Sequence, residues 1–159
     1  MRLLALGVVA LGAGAIATGC GGDDESTSTH TAPIAPLSTD EFIDYANRIC
    51  TEEGGLIERA GRKLSRRPSQ AEGRRFVVGT VLPHIQLITD RLRTLPPPAG
   101  DEAKVNAILD ANQRGIDELR RTPDLRRADA VLSGGRGLAR RYGLKTCAQP
   151  SGANGRWAR

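Results

Sequence analysis

The chain has 159 residues, enough for one domain with a real core. Its aromatic residues are Phe42, Tyr45, Phe76, Tyr142 and Trp157 alone. The core must therefore be Leu, Ile, Val and Ala, which suits helices packed on helices, and few rings are left for stacking on single-stranded nucleic acid. The formal charge is +5 and nearly all of the basic residues are arginine, a surface that either attracts an anionic partner or is simply solvated.

In chain order, Arg2 is followed by an apolar stretch from Leu3 to about Ala17 and then by small residues, the layout of a secretory signal peptide. The stretch is rich in Gly and Ala and shorter than the ~20 apolar residues that cross a bilayer. Residues 1–19 therefore read as an export signal rather than a span. Ala17-Thr18-Gly19-Cys20 resembles the lipobox of bacterial lipoproteins, a family that usually carries Leu where this chain has Ala17. The resemblance implies cleavage after Gly19, lipidation of the Cys20 sulfur, and a mature protein acylated at Cys20 on the extracytoplasmic face of the cell membrane. Loss of Arg2 with the leader lowers the charge to +4. Several acyl chains hold a protein at a membrane where one binds only marginally. From Cys20 to Leu37 the chain is mostly Gly, Asp, Ser, Thr and Pro, a composition that buries too little apolar surface to fold. It reads as a flexible tether, with His30 a spacer in it.

The body, 38–147, is expected to be all-α. Ser38 with Glu41 offers a capping box, after which Phe42, Ala46, Ile49, Cys50, Leu56, Ile57, Ala60 and Leu64 recur at helical spacing, interrupted by Gly54-Gly55. Ser69 with Glu72 offers a second box. The helix that follows carries Phe76, Val77, Val81, His84, Leu87, Ile88 and Leu92, and Pro83 inside it predicts a kink. "LPPPAGD" separates it from a third helix over 101–121, with Val105, Ile108, Leu109, Ile116 and Leu119 inward. Thr122 as cap and Pro123 as first helical residue open a fourth, with Leu125, Ala128, Leu132, Leu138 and Tyr142 inward and Gly143 at its end. Short connections predict an up-down-up-down four-helix bundle. Residues 148–159 show no periodicity and are expected to be a disordered tail.

With Cys20 assigned to lipid, Cys50 and Cys147 remain as one pair, and an exported protein meets an oxidising space. In an antiparallel arrangement of helices one and four, counting about 20 residues back along both places Tyr142 near Tyr45, each residue rising ~1.5 Å. The segment after Gly143 then turns back to bring Cys147 to Cys50. A staple of this length stabilises by about 4–5 kcal/mol in the chain-entropy model, and without Cys-x-x-Cys spacing the pair is not read as redox-active.

Catalytic and cofactor chemistry finds no support. Neither His30 nor His84 has a Glu three residues before it, as di-iron bundles require. No cluster suits zinc, no Cys-x-x-Cys-His suits haem, and "SGGRG" over 133–137 lacks phosphate-loop spacing. Its glycines read instead as points of close helix packing or of weakness in helix four. The remaining clue is charge. The first and third connections of such a bundle share one end, which collects Arg59, Arg62, Lys63, Arg66, Arg67, Arg74 and Arg75 with Arg120, Arg121, Arg126 and Arg127. That end points away from the membrane and either binds an anionic envelope polymer or an acidic protein or is a solvated tip. An extracytoplasmic address argues against nucleic acid. Two alternatives stay open: a carrier with a pocket near Gly54-Gly55 and Pro83, lined by Leu56, Val81 and His84, and an enzyme whose site is not visible. The sequence specifies no oligomeric state.

Overall fold

A computed structural model describes residues 35–150. The signal 1–19, the lipobox with Cys20, His30 and the last nine residues with Trp157 lie outside the described residues. Within them the protein is a bundle of four helices with no strand.

Helix α1 is Thr39–Gly61 and starts as expected: the Ser38 hydroxyl accepts from the Glu41 N–H at 3.2 Å, and the Glu41 carboxylate accepts from the Ser38 N–H at 2.9 Å. The Ser38 hydroxyl also donates to the Glu41 carboxylate at 2.7 Å, and this bond, followed by the one from the Ser38 N–H, holds that carboxyl below its ordinary range. The helix runs through Gly54-Gly55 without interruption. Its buried stripe is Phe42, Ala46, Ile49, Cys50, Glu53 and Ile57. Leu56, expected in the core, falls on the edge of that stripe and is 39 % exposed.

Helix α2 is built of three contiguous stretches: α-helical Gln70–Phe76, π-helical Val77–Val81 and α-helical Leu82–Arg93. Only half of the expected capping box forms. The Ser69 hydroxyl accepts from the Glu72 N–H at 3.2 Å, but the Glu72 carboxylate reaches back to the N–H and hydroxyl of Ser65, both at 3.0 Å. Just before Pro83, where a kink is expected, the helix makes a π turn. Proline has no N–H for the carbonyl of Gly79 and its ring crowds that group, and the Leu82 N–H bonds instead to Val77, five residues back. One extra residue in a turn rotates the face that follows by about 100°. Leu82, Ile85, Ile88, Thr89 and Leu92 are buried, while Leu87, read as inward from unbroken periodicity, is 43 % exposed.

Helix α3 is Glu102–Arg121 and α4 is Leu125–Tyr142. The start of α4 corrects the expectation: Thr122 closes α3, and Asp124, not Thr122, caps α4 by accepting from the Arg126 N–H at 2.9 Å. Pro123 lies between the two helices rather than inside the second. The two helices approach closely because Gly115 and Gly135 lack side chains. A Cβ on Gly115 would meet Leu132 Cδ2 at 3.0 Å and the Val131 carbonyl at 3.2 Å, and one on Gly135 would collide with the Asn112 amide. Gly143, at φ +104°, ends α4 in the left-handed region, with the Leu144 N–H reaching back to Ala139 at 2.9 Å.

Beyond Gly143 the chain stays packed. Leu144 and Ala148 are buried, so the segment expected to begin the disordered tail begins with a residue of the core. The Thr146 N–H bonds to Asn47 at 2.9 Å, and Cys147 forms a disulfide with Cys50 across a Cα–Cα distance of 5.1 Å. Tyr142 meets Phe42 edge-on at 6.0 Å, one turn earlier in α1 than the expected neighbour Tyr45, and donates to Asp101 at 3.0 Å. The core falls into two clusters. One holds Phe42, Ile49, Leu92, Ile108 and Leu144 near the disulfide, and the other holds Ile57, Phe76, Val77, Ile116 and Leu132.

Candidate functional site

The basic end is assembled by the way α1 ends and α2 begins. After Gly61 a tight turn forms, with Arg62, Lys63 and Leu64 donating backbone N–H groups to Glu58, Ala60 and Gly61. Glu72 clamps Ser65, and hydrogen bonds from the Ser65 N–H and hydroxyl hold its carboxyl below the ordinary range. Gly73 then lets α2 lie against Leu125, where an added Cβ would stand 3.1 Å from the leucine Cβ. That contact brings the first stretch of α2, which follows the Arg66–Arg67 connection, beside α4.

Nearby carboxylates are each engaged. Glu58 pairs with Arg62 at 3.1 Å, Asp117 with Arg120 at 3.2 Å and Glu118 with Arg127 at 3.3 Å, while Asp124 caps α4. Arg120 also donates to Gln86 at 2.8 Å, which holds it along α2 and α3 rather than free at the tip. Arg75 lends its field to Glu72. Lys63, Arg66, Arg67, Arg74, Arg121 and the guanidinium of Arg126 are exposed and have no ion pair among the described residues. The expected patch therefore divides into paired residues (Arg62, Arg120, Arg127) and cations open to a partner.

A second feature is a cleft of about 400 Å³ on the side where α1 faces α4 and the segment after it. Gly54 and Gly55 line it, as the carrier alternative expects, but Leu56, Val81 and His84 do not. Its floor is Ile85, Ile88, Leu92, Ile108 and Leu132, and Arg59, Arg136 and Asn112 are among its polar residues. It lies at the seam between the two core clusters.

Sequence reading missed Glu53, a carboxylate only 7 % exposed on the inward stripe of α1. It takes His84 Nδ1 at 2.7 Å and Arg91 at 3.2 Å, and Arg91 also pairs with Glu52 at 2.8 Å. The signal was present: Glu53 falls three residues after Cys50 and four before Ile57, on the buried face. Arg91 supplies the positive partner that a buried carboxylate needs and His84 a ring nitrogen within hydrogen-bond distance, which ties α1 to α2. No group of three or more His, Cys, Asp or Glu able to hold a metal occurs among the described residues. None of the described helices is long and apolar enough to cross a membrane. No protein-family model, curated protein or solved structure matches the chain.

Proposed function

We propose that the chain is a lipid-anchored extracytoplasmic protein, held at the membrane through Cys20, whose body is a binding module rather than an enzyme. The basic end takes an anionic polymer of the cell envelope, or an acidic protein surface of the same charge. The up-down-up-down course of the bundle belongs to this proposal. The pairs Asp101–Tyr142 and Glu118–Arg127, which run in opposite senses along α3 and α4, support it. An oxidised Cys50–Cys147 pair suits export.

The observation that carries the binding assignment is the engagement of every nearby acid, which leaves Lys63, Arg66, Arg67, Arg74, Arg121 and Arg126 without carboxylate partners on surface brought together by Gly73 and Leu125. Such a field attracts polyanions and weakens as salt screens it beyond ~8–10 Å. Nucleic acid is not proposed, because among the described residues no exposed aromatic ring stands among these cations.

Two measurements test it. Fractionation with a lipid label compares the natural chain with Cys20→Ala: the label and membrane retention should both be lost, and unchanged retention rejects the anchor. Inorganic polyphosphate and polyglutamate serve as probes of the basic end. Binding should fall with salt and weaken at least tenfold when Arg66, Arg67, Arg74, Arg121 and Arg126 are replaced by Gln. Equal affinity in the natural and substituted chains rejects the basic end as the site.

A further inference from the structure

We infer that the cleft between α1 and α4 is a binding site for a single-chain anionic amphiphile, with its acyl chain on the apolar floor and its carboxylate or phosphate held by Arg59 and Arg136. The volume of about 400 Å³ lies within the ~300–1,000 Å³ of small-molecule sites. A floor of Ile85, Ile88, Leu92, Ile108 and Leu132 offers branched aliphatic surface and no ring for stacking, which selects a flexible hydrocarbon over a planar ligand.

Charge selects the head group. Glu58 lines the cleft but is paired with Arg62. The Arg59 side chain has no hydrogen bond or ion pair among the described residues, and its Nη1 lies 3.3 Å from where a side chain on Gly55 would begin. The guanidinium is thus folded back along α1 into space that the glycine leaves open. Across the cleft, the Arg136 side chain is only 11 % exposed. Its Nη2 donates to the carboxylate and carbonyl of Asp129 at 2.7 and 2.5 Å, while Nε and Nη1 have no partner among the described residues. A largely buried guanidinium with donors to spare and an unpaired one, both lining the cleft, fit a planar or tetrahedral oxyanion that accepts from both. Gly54 supplies the remaining room, since a Cβ there meets nothing within 4 Å.

Isothermal titration calorimetry of the purified chain tests this with three probes: dodecanoate, lysophosphatidylglycerol and neutral dodecanol. The site should take one molecule, with dodecanol bound about tenfold or more weakly for want of a charge-assisted hydrogen bond. The carboxylate and phosphate probes distinguish a free fatty acid from a lipid head group as its occupant. Gly54→Leu, whose Cβ meets nothing within 4 Å and whose side chain takes up cleft space, should abolish binding while leaving the urea midpoint unchanged or raised. Arg59→Gln should weaken dodecanoate about tenfold and leave dodecanol unmoved. The Gln substitutions at the basic end should leave all three affinities alone, so the two sites stand or fall separately. Dodecanoate binding that persists in Gly54→Leu, or that dodecanol equals, overturns the assignment. So does the absence of a saturable one-to-one isotherm in the natural chain.

Discussion

Reduction of the Cys50–Cys147 disulfide is the perturbation whose size follows most directly from the structure. The bond joins the middle of α1 to the segment after α4 across 97 residues of sequence. In the folded protein that segment has other attachments: Leu144 and Ala148 are buried, and Thr146 is hydrogen-bonded to Asn47. Reduction therefore changes the native state little and acts by releasing the denatured chain. For a loop of this length the chain-entropy model gives about 4.7 kcal/mol at 25 °C. Domains of ordinary stability have only ~5–15 kcal/mol in total, so the loss is a large share. With a urea m-value of ~1–3 kcal/mol/M, the midpoint should fall by about 1.5–5 M, and m itself should rise because the reduced denatured chain exposes more surface. Urea titration followed by far-ultraviolet circular dichroism, with and without reductant, measures both quantities. The Cys50→Ala/Cys147→Ala chain should fall at least as far as the reduced one. A loss below about 1 kcal/mol with unchanged m would refute the reasoning, since the denatured chain would then not be expanded by the cut.

Other expectations follow from single contacts. Gly143→Ala should cost about 1–2 kcal/mol for its left-handed backbone, because φ is +104° and Ile43 stands 3.2 Å from the new Cβ; by contrast Gly54→Ala should stabilise by up to ~1 kcal/mol. Removal of Glu53 by Ala should cost about 2 kcal/mol by stripping charged hydrogen bonds from His84 and Arg91. A double-mutant cycle with His84→Ala should then return a coupling of at least ~0.5 kcal/mol, and strict additivity would sink the pairing. Burial and the hydrogen bond to Asp101 push the Tyr142 phenol up to about 12, while Lys104 and then Tyr142 hold Asp101 below its ordinary range. The phenol's stabilisation is present below ~10 and disappears as pH rises through about 12, whereas that of Asp101 is present above ~4 and disappears as pH falls. With Tyr45→Phe leaving one phenol, tyrosinate absorbance in the folded chain should titrate near 12, and Asp101→Asn should lower it. A midpoint at ~10 with Asp101 intact would count against the contact.

Much of the architecture was legible in the residues because its signals are local. Ser38 and Glu41 are one helical turn apart, so their reciprocal bonds need nothing beyond the helix they start. Gly143 likewise reports a backbone conformation that its own lack of a side chain permits. The Cys50–Cys147 bond was readable by composition, once Cys20 is set aside for lipid. The basic residues were legible as a cluster, but not which of them are free. Glu58–Arg62 and Asp117–Arg120 are four and three residues apart, but the rest of that division depends on Glu118 and Gln86, whose reach toward Arg127 and Arg120 is set by how α2, α3 and α4 pack.

Tertiary structure alone decided the rest. Unbroken 3.6-residue periodicity put Leu87 inside, but the π turn before Pro83 rotates the remainder of α2 and puts Ile85 and Thr89 there instead. Glu72 belongs by spacing to Ser69, yet its carboxylate goes to Ser65, because the chain folds back across the first connection. The cleft is the clearest case. Gly54 and Gly55 are visible as glycines, but whether a missing side chain becomes a void depends on what stands opposite. At Gly115 and Gly135 a neighbouring helix closes the space, while at Gly54 nothing does. Caps, stripes and the cysteine pair follow from the order of residues, since they act within a turn or by simple count. Helix phase, the charge pairs between helices and the cleft follow from which surfaces meet, and no single helix carries that information.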